Sequence, residues 1–175
     1  MVTLGLDIST TCVGYAFTKD KKILDMGFID IKKQITPKEK VFKVLDFINK
    51  SSYIDEVIDI NVEDNLSGFA GGRTSQQVIV KLAKFNAVLC FVLEDMFEMK
   101  VNNINPMTAR KFVFGKARVK GIKAKDLVKM KIEEMYDTSK WCKTTTRGNW
   151  DKRNIDAYDG LVMSLYKGKQ IVKKH

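Results

Sequence analysis

Four acidic positions carry the chemistry open to this chain: Asp7, Glu63, Asp156 and Asp159. Asp7 follows the alternating residues Val2, Leu4 and Leu6, and Glu63 follows Ile58, Ile60 and Val62, so each closes a run with strand periodicity. A carboxylate at the end of a buried strand is expensive to desolvate unless a cation meets it. Asp7 by itself reads equally well as the cap of a turn through Ile8, Ser9, Thr10 and Thr11. Asp156 and Asp159 stand three apart in NIDAYDGLVMSLYK and project from one helix face. They are either an acidic first turn favoured by the helix dipole or a like-charged pair that needs a shared counter-ion. The single histidine is His175, whose position argues against a histidine base, ligand or relay. Cys12, Cys90 and Cys142 are scattered and form no CxxC pair, which argues against a disulfide framework or a zinc site and suits a reducing compartment. Hydrolytic chemistry here would therefore run on carboxylates and a hard cation.

The elements that must position these acids fit one domain, residues 1–175, with a 45% hydrophobic content sufficient for a real core. The net charge of +10 suits a polyanion, either nucleic acid or an anionic membrane surface. No apolar run is expected to approach the roughly 18 residues of a membrane span, and the first residues read as a strand and not a signal peptide.

Val2–Leu6, Val13–Phe17 and Ile23–Ile31 read as three strands of an antiparallel meander. Thr36 and Pro37 then open a helix as N-cap and first residue, with Val41, Val44, Leu45 and Ile48 as its apolar stripe. The fourth strand, through Ile58, Ile60 and Val62, ends in Glu63 and Asp64. The glycine-rich stretch Asn65–Arg73 holds one bulky apolar residue, Phe69, which either folds back on its own domain or stacks on a base. Residues 75–97 form a long helix, apolar on too much of its circumference for one core, so it is either a central helix or a homodimer seam. Lys100–Ile104 makes a fifth strand, and Asn105 with Pro106 starts a helix that ends at Gly115. Lys116, Arg118, Lys120, Lys123, Lys125, Lys129 and Lys131 follow in one short segment, which favours a phosphate-binding surface over a merely solvated face. Thr138–Arg153 has no periodicity and reads as a loop, and Asn154–Lys167 closes the chain as a helix. Asp64, Glu94, Asp95 and Asp151 receive no role, and Arg73 and Arg147 are possible phosphate contacts.

Meander, helix, strand, helix, strand, helices is the element order of the ribonuclease-H-like α/β fold: a five-stranded mixed sheet, antiparallel over strands 1–3, with helices on both faces. In that layout strands one and four end side by side, and a late helix can lay its acidic face across them. Asp7, Glu63, Asp156 and Asp159 would then form a hard-oxygen cage, which without His or Cys selects Mg²⁺ or Mn²⁺. Two such ions about 4 Å apart activate a water and stabilise the leaving oxygen of a phosphodiester.

Across nearly its whole length the chain resembles the RuvC-type Holliday-junction resolvases, and the small phage-encoded members more than the bacterial ones. The resemblance rests on GLDIST with Asp7, VED with Glu63, the Phe69 loop, and DAYD with Asp156 and Asp159, all in order. It implies two Mg²⁺ ions (Mn²⁺ substituting) held by those four acids, and cutting of four-way junctions or other branched DNA. It also implies a homodimer through helix 75–97, action in the host cytoplasm, and an aromatic at the junction centre, here Phe69. Basic residues after the fifth strand would contact DNA: Lys111 and Lys125, matched loosely, with Arg73, Lys116, Arg118, Lys120 and Lys123. Compared with bacterial members, Thr138–Arg153 is longer and more basic. Two alternatives remain. Asp7-Ile8-Ser9-Thr10-Thr11 with Gly14 also resembles a phosphate-binding turn of the actin and sugar-kinase class, which needs two domains around a cleft. A non-catalytic module that only binds branched DNA is the other.

Overall fold

The computed structural model describes residues 1–64 and 76–168. In chain order the elements are β1 (Val2–Ile8), β2 (Cys12–Lys19), β3 (Lys22–Asp30), α1 (Pro37–Ile48), a 3-10 turn (Ile54–Glu56), β4 (Val57–Glu63), α2 (Gln76–Phe97), β5 (Val101–Ile104), α3 (Pro106–Phe114), α4 (Ala124–Met135) and α5 (Asn154–Leu165). The five strands form one sheet in the order β3-β2-β1-β4-β5. β1, β2 and β3 pair antiparallel, whereas β1–β4 and β4–β5 are parallel. The expected meander and the crossover to a fourth strand beside the first are both present.

Local signals explain most boundaries. Thr36 and Glu39 form a reciprocal capping box that starts α1 just before Pro37. The Asn105 side chain accepts from the Met107 and Thr108 N–H groups and starts α3. Two expectations shift. α5 ends at Leu165, short of Lys167, and Ile58 is exposed because the β1–β4 register slips between Val2 and Thr3.

The sheet divides the core into two layers. Val2, Leu4, Leu6 and Ile8 pack with α1 and α2 on one face. The intervening residues Thr3, Gly5 and Asp7 must then face the other side, because successive side chains of a strand alternate. That opposite layer holds α3, α4 and α5 around Ala16, Met26, Tyr158 and Leu161. In β4 the same alternation turns Ile60 and Val62 toward α2, and Asn61 and Glu63 toward α5. The Asn61 amide confirms the direction by donating to the Met163 and Tyr166 carbonyls at the end of α5.

α2 corrects the expectation that no segment approaches a membrane span. Over 22 residues it has a mean hydropathy of 1.5 in its most apolar window, sufficient by length and composition to cross a bilayer. One face of it, through Leu82, Phe85, Leu89 and Leu93, is nevertheless buried in the sheet layer. The opposite side leaves Val80, Val88 and Phe91 exposed, Phe91 by 69%.

α5 is buried along nearly its whole length, and it lies close enough on the sheet to touch backbone with backbone. A methyl group built on Gly14 would stand 1.7 Å from the Asp156 carbonyl oxygen, and one on Gly5 2.2 Å from the Ser164 nitrogen. Neither space can hold a side chain, so these two glycines set the distance between helix and sheet. Gly14→Ala should therefore push α5 outward and destabilise the fold by about 1–3 kcal/mol or more. Thermal unfolding reads this directly, and an unchanged Tm would show that the contact does not constrain the helix.

Candidate functional site

The turn after β1 decides between the two readings of Asp7. Ser9, not Asp7, caps it: the Ser9 hydroxyl donates to the Cys12 carbonyl at 2.8 Å and accepts from the Cys12 N–H at 3.0 Å. Asp7 is buried instead on the α5 face of the sheet. β1 and β4 run parallel with Leu6 opposite Val62, which places Asp7 beside Glu63, close enough for the two carboxyl groups to influence each other. Asn86 on α2 donates to the Glu63 carbonyl and fixes that strand end from the other face. α5 brings Asp156 and Asp159 down over the pair. All four predicted acids thus meet at one end of the sheet.

Their electrostatics follow from crowding. Burial, and then the charges of Glu63, Asp159 and Asp156, push the Asp7 carboxyl well above the usual carboxylate range. Burial and the nearby Asp159 raise Glu63 to about 7, against the opposing pull of Arg110 and Lys125. Asp159 is also raised, chiefly by burial, although Arg110 counteracts this. The cluster therefore sets four acids against two side-chain cations, and burial and mutual repulsion penalise its ionised form.

Two cations answer part of it. Arg110 Nη2 donates to Asp159 Oδ1 at 2.9 Å, and Lys125 Nζ to Asp156 Oδ1 at 3.0 Å. Their surroundings differ sharply. The Arg110 and Asp159 side chains are 10% and 3% exposed, whereas the Lys125 side chain is 63% exposed. Arg110 is thus a fixed counter-charge and Lys125 a removable one. The buried Arg110 Nε has no hydrogen-bond partner among the described residues. Among the described residues no three acid, His or Cys side chains stand where together they could hold a metal ion. Asp156 and Asp159 each turn one oxygen to a side-chain cation instead. The donor set itself, four carboxylates with unneutralised charge, fits a hard divalent cation.

Arg110 is the residue that sequence reasoning missed. Lys111, expected to contact DNA, is exposed on α3, while its neighbour Arg110 is buried against α5. The signal was available: Arg110 lies on the helix face marked by Ala109 and Val113, and a charge on an apolar face demands a partner. Lys116, Arg118, Lys120 and Lys123 are all exposed between α3 and α4. Phe69 and Arg73 lie outside the described residues. Of the unassigned acids, Asp151 is held by Arg153, and Glu94 accepts the Val101 N–H.

No protein-family model and no curated protein matches the chain. Solved structures do resemble it in fold. The Thermus thermophilus RuvC structure is 13% identical with a TM-score of 0.59, covering 94% of this chain and 90% of that one. T. thermophilus RuvC in complex with a Holliday junction substrate is 14% identical with a TM-score of 0.62 and the same coverage. The yeast mitochondrial Holliday junction resolvase Ydc2 is 15% identical with a TM-score of 0.58, covering 93% of this chain and 75% of that one. The fold is ribonuclease-H-like.

The contrast in burial predicts unequal mutational costs. Arg110→Met, which leaves Asp159 buried and uncompensated, should cost about 3–5 kcal/mol. Lys125→Met should cost under about 1 kcal/mol. Denaturant titrations of the two variants decide this, and equal costs would refute the distinction.

Glu63 also predicts a pH signature. Its folded pKa of about 7 lies above the ordinary 4.5, so its contribution to stability is full below about 4.5 and is lost as pH rises through 7. In EDTA the wild-type Tm should decline between pH 5 and 8 relative to Glu63→Gln. Parallel profiles for the two proteins would contradict the shift.

Proposed function

We propose that this chain is a divalent-metal-dependent, structure-selective endonuclease that cuts branched DNA, four-way Holliday junctions foremost, in the manner of the phage-encoded RuvC-type resolvases. One observation carries the reading: Asp7, Glu63, Asp156 and Asp159, from three separate elements, gather at one sheet end, with Arg110 on Asp159 and Lys125 on Asp156 as their side-chain cations. The likeness in fold to a RuvC in complex with a Holliday junction substrate supports the substrate class.

In this reading the four acids hold two Mg²⁺ ions, with Mn²⁺ as a substitute. Bound there, the ions supply an activated water and charge for the leaving oxygen. The chain's own residues do the rest. Arg110 holds Asp159 in one orientation. Lys125, exposed and linked to Asp156, is free to turn toward a DNA phosphate. Lys111, Lys116, Arg118, Lys120 and Lys123 present positive charge to the flanking backbone, and Phe69 and Arg73 are assigned to the DNA from their position in the sequence. A homodimer would pair two such sites for symmetric cuts. The exposed Val80, Val88 and Phe91 on α2 support it as the seam. Action in the host cytoplasm belongs to the same proposal.

Asp7→Asn should still bind a synthetic four-way junction but cut it at least about a hundredfold more slowly in Mg²⁺, the loss expected when a group that organises the reaction centre goes. Gel analysis of end-labelled junctions, with linear duplex and EDTA as controls, tests this. Wild-type cutting rates in Asp7→Asn would remove Asp7 from the active site.

A further inference from the structure

The segment Thr138–Arg153, expected to be an unpatterned loop, contains a formed β-ribbon. Thr144 and Trp150 pair antiparallel, and the Asp151 N–H donates to the Lys143 carbonyl at 3.0 Å. Nearer the tip, the Thr145 N–H donates to the Asn149 carbonyl at 2.7 Å, and the Gly148 N–H to the Thr145 carbonyl at 2.9 Å. Gly148 has φ +77°, so Thr146-Arg147-Gly148 is a three-residue hairpin turn closed by a residue in the left-handed region. A ribbon that short has little stability of its own. Its base supplies the rest.

The base is tied to the helix that carries two of the acids. Asn154, the first residue of α5, accepts from the Lys143 N–H at 2.9 Å and donates to the Lys143 carbonyl at 2.8 Å. Asp151 is buried and receives the Arg153 backbone N–H and guanidinium. Arg153 in turn bridges to Asp30 at 2.6 Å, at the end of β3. Trp150 is packed against Tyr158, with Lys129 over its ring. These anchors join the ribbon rigidly to α5, two residues before Asp156.

What the ribbon exposes is polar and cationic. Thr144, Thr145, Thr146, Arg147 and Asn149 are all exposed. Arg153 at the base is occupied with Asp151 and Asp30, whereas Arg147 at the tip has no ion pair among the described residues. Acidic residues do lie nearby, since Glu133, Glu134 and Asp137 line a groove with Trp150. None of the tip residues lines that groove. A rigid finger of hydroxyls, an amide and one uncommitted guanidinium matches the donors that proteins aim at the DNA backbone.

We infer that the ribbon Lys143–Asp151 is a DNA-gripping finger, whose tip residue Arg147 contacts a phosphate of the duplex arm next to the acid site. The inference rests on the branched-DNA reading above. Because the base is fixed to α5, the finger also sets where that arm lies relative to Asp156 and Asp159. Arg147 is thus a binding and positioning residue, outside the reaction centre.

The test uses Arg147→Ala and Arg147→Glu in the full chain, with a synthetic four-way junction as the probe. Binding by fluorescence anisotropy in Ca²⁺ is measured across salt concentrations, alongside single-turnover cutting in Mg²⁺ at saturating protein. Arg147→Ala should weaken binding roughly three- to tenfold, and lower the slope of log K against log salt by about 1. Arg147→Glu should weaken it further, and in both variants saturated cutting should fall by less than binding does, the share lost there reporting the positioning of the arm. Unchanged affinity and salt slope in both variants would overturn the finger while leaving the nuclease reading intact. Slower cutting with unchanged affinity would also overturn it, by making Arg147 something other than a grip. A wild-type protein that binds no junction would remove both.

Discussion

The contact of α5 on β1 and β2 is the constraint on which the rest of the molecule depends. Helices normally ride on sheets at side-chain distance. Here the Asp156 carbonyl lies over Gly14 and the Ser164 nitrogen over Gly5, where even a methyl would collide. Gly14 pairs with Asp7 across the β1–β2 ladder, so the same close approach that seats the helix also seats Asp156 above Asp7. Parallel pairing of β1 with β4 adds Glu63 beside it. Backbone geometry, set by two absent side chains, thereby brings together carboxylates that repel one another.

That repulsion is held by the fold and only partly relieved. Burial and mutual charge raise Asp7, Glu63 and Asp159 together. The relief comes from two cations with different freedom. Arg110 is enclosed with Asp159, so moving it would leave a buried charge alone, whereas Lys125 can leave Asp156 for water at little cost. A site arranged this way keeps one acid oriented and leaves another available.

Much of this was legible in the residues. The alternation of Val2, Leu4 and Leu6 gave β1 and its buried face, and Thr36-Pro37 and Asn105-Pro106 marked two helix starts through chemistry that acts over only a few residues. The four acids could be chosen because each stood where a carboxylate is costly. What could not be read depended on contacts between distant segments. Ser9 takes the turn-capping role open to Asp7. Arg110 is the acid-facing cation because α3 turns that residue, and not its neighbour Lys111, toward α5. The ribbon within Thr138–Arg153 escaped notice because its strands are two or three residues long, too short for a periodic pattern, and it owes its order to Asn154 and Asp151.

The topology also dates the site within the life of a chain. The Thr18 hydroxyl donates to the Ser164 carbonyl of α5, 146 residues away, and β1 meets the helix that completes the acid cluster only across almost the full sequence. Contacts of such separation are slow to form, whereas the β1–β2–β3 meander needs only neighbouring residues. During synthesis the sheet can be built while Asp156 and Asp159 have yet to leave the ribosome. The carboxylate cluster is thus absent from any nascent chain that has not yet reached Asp159, and the four acids meet only after all five strands have been made.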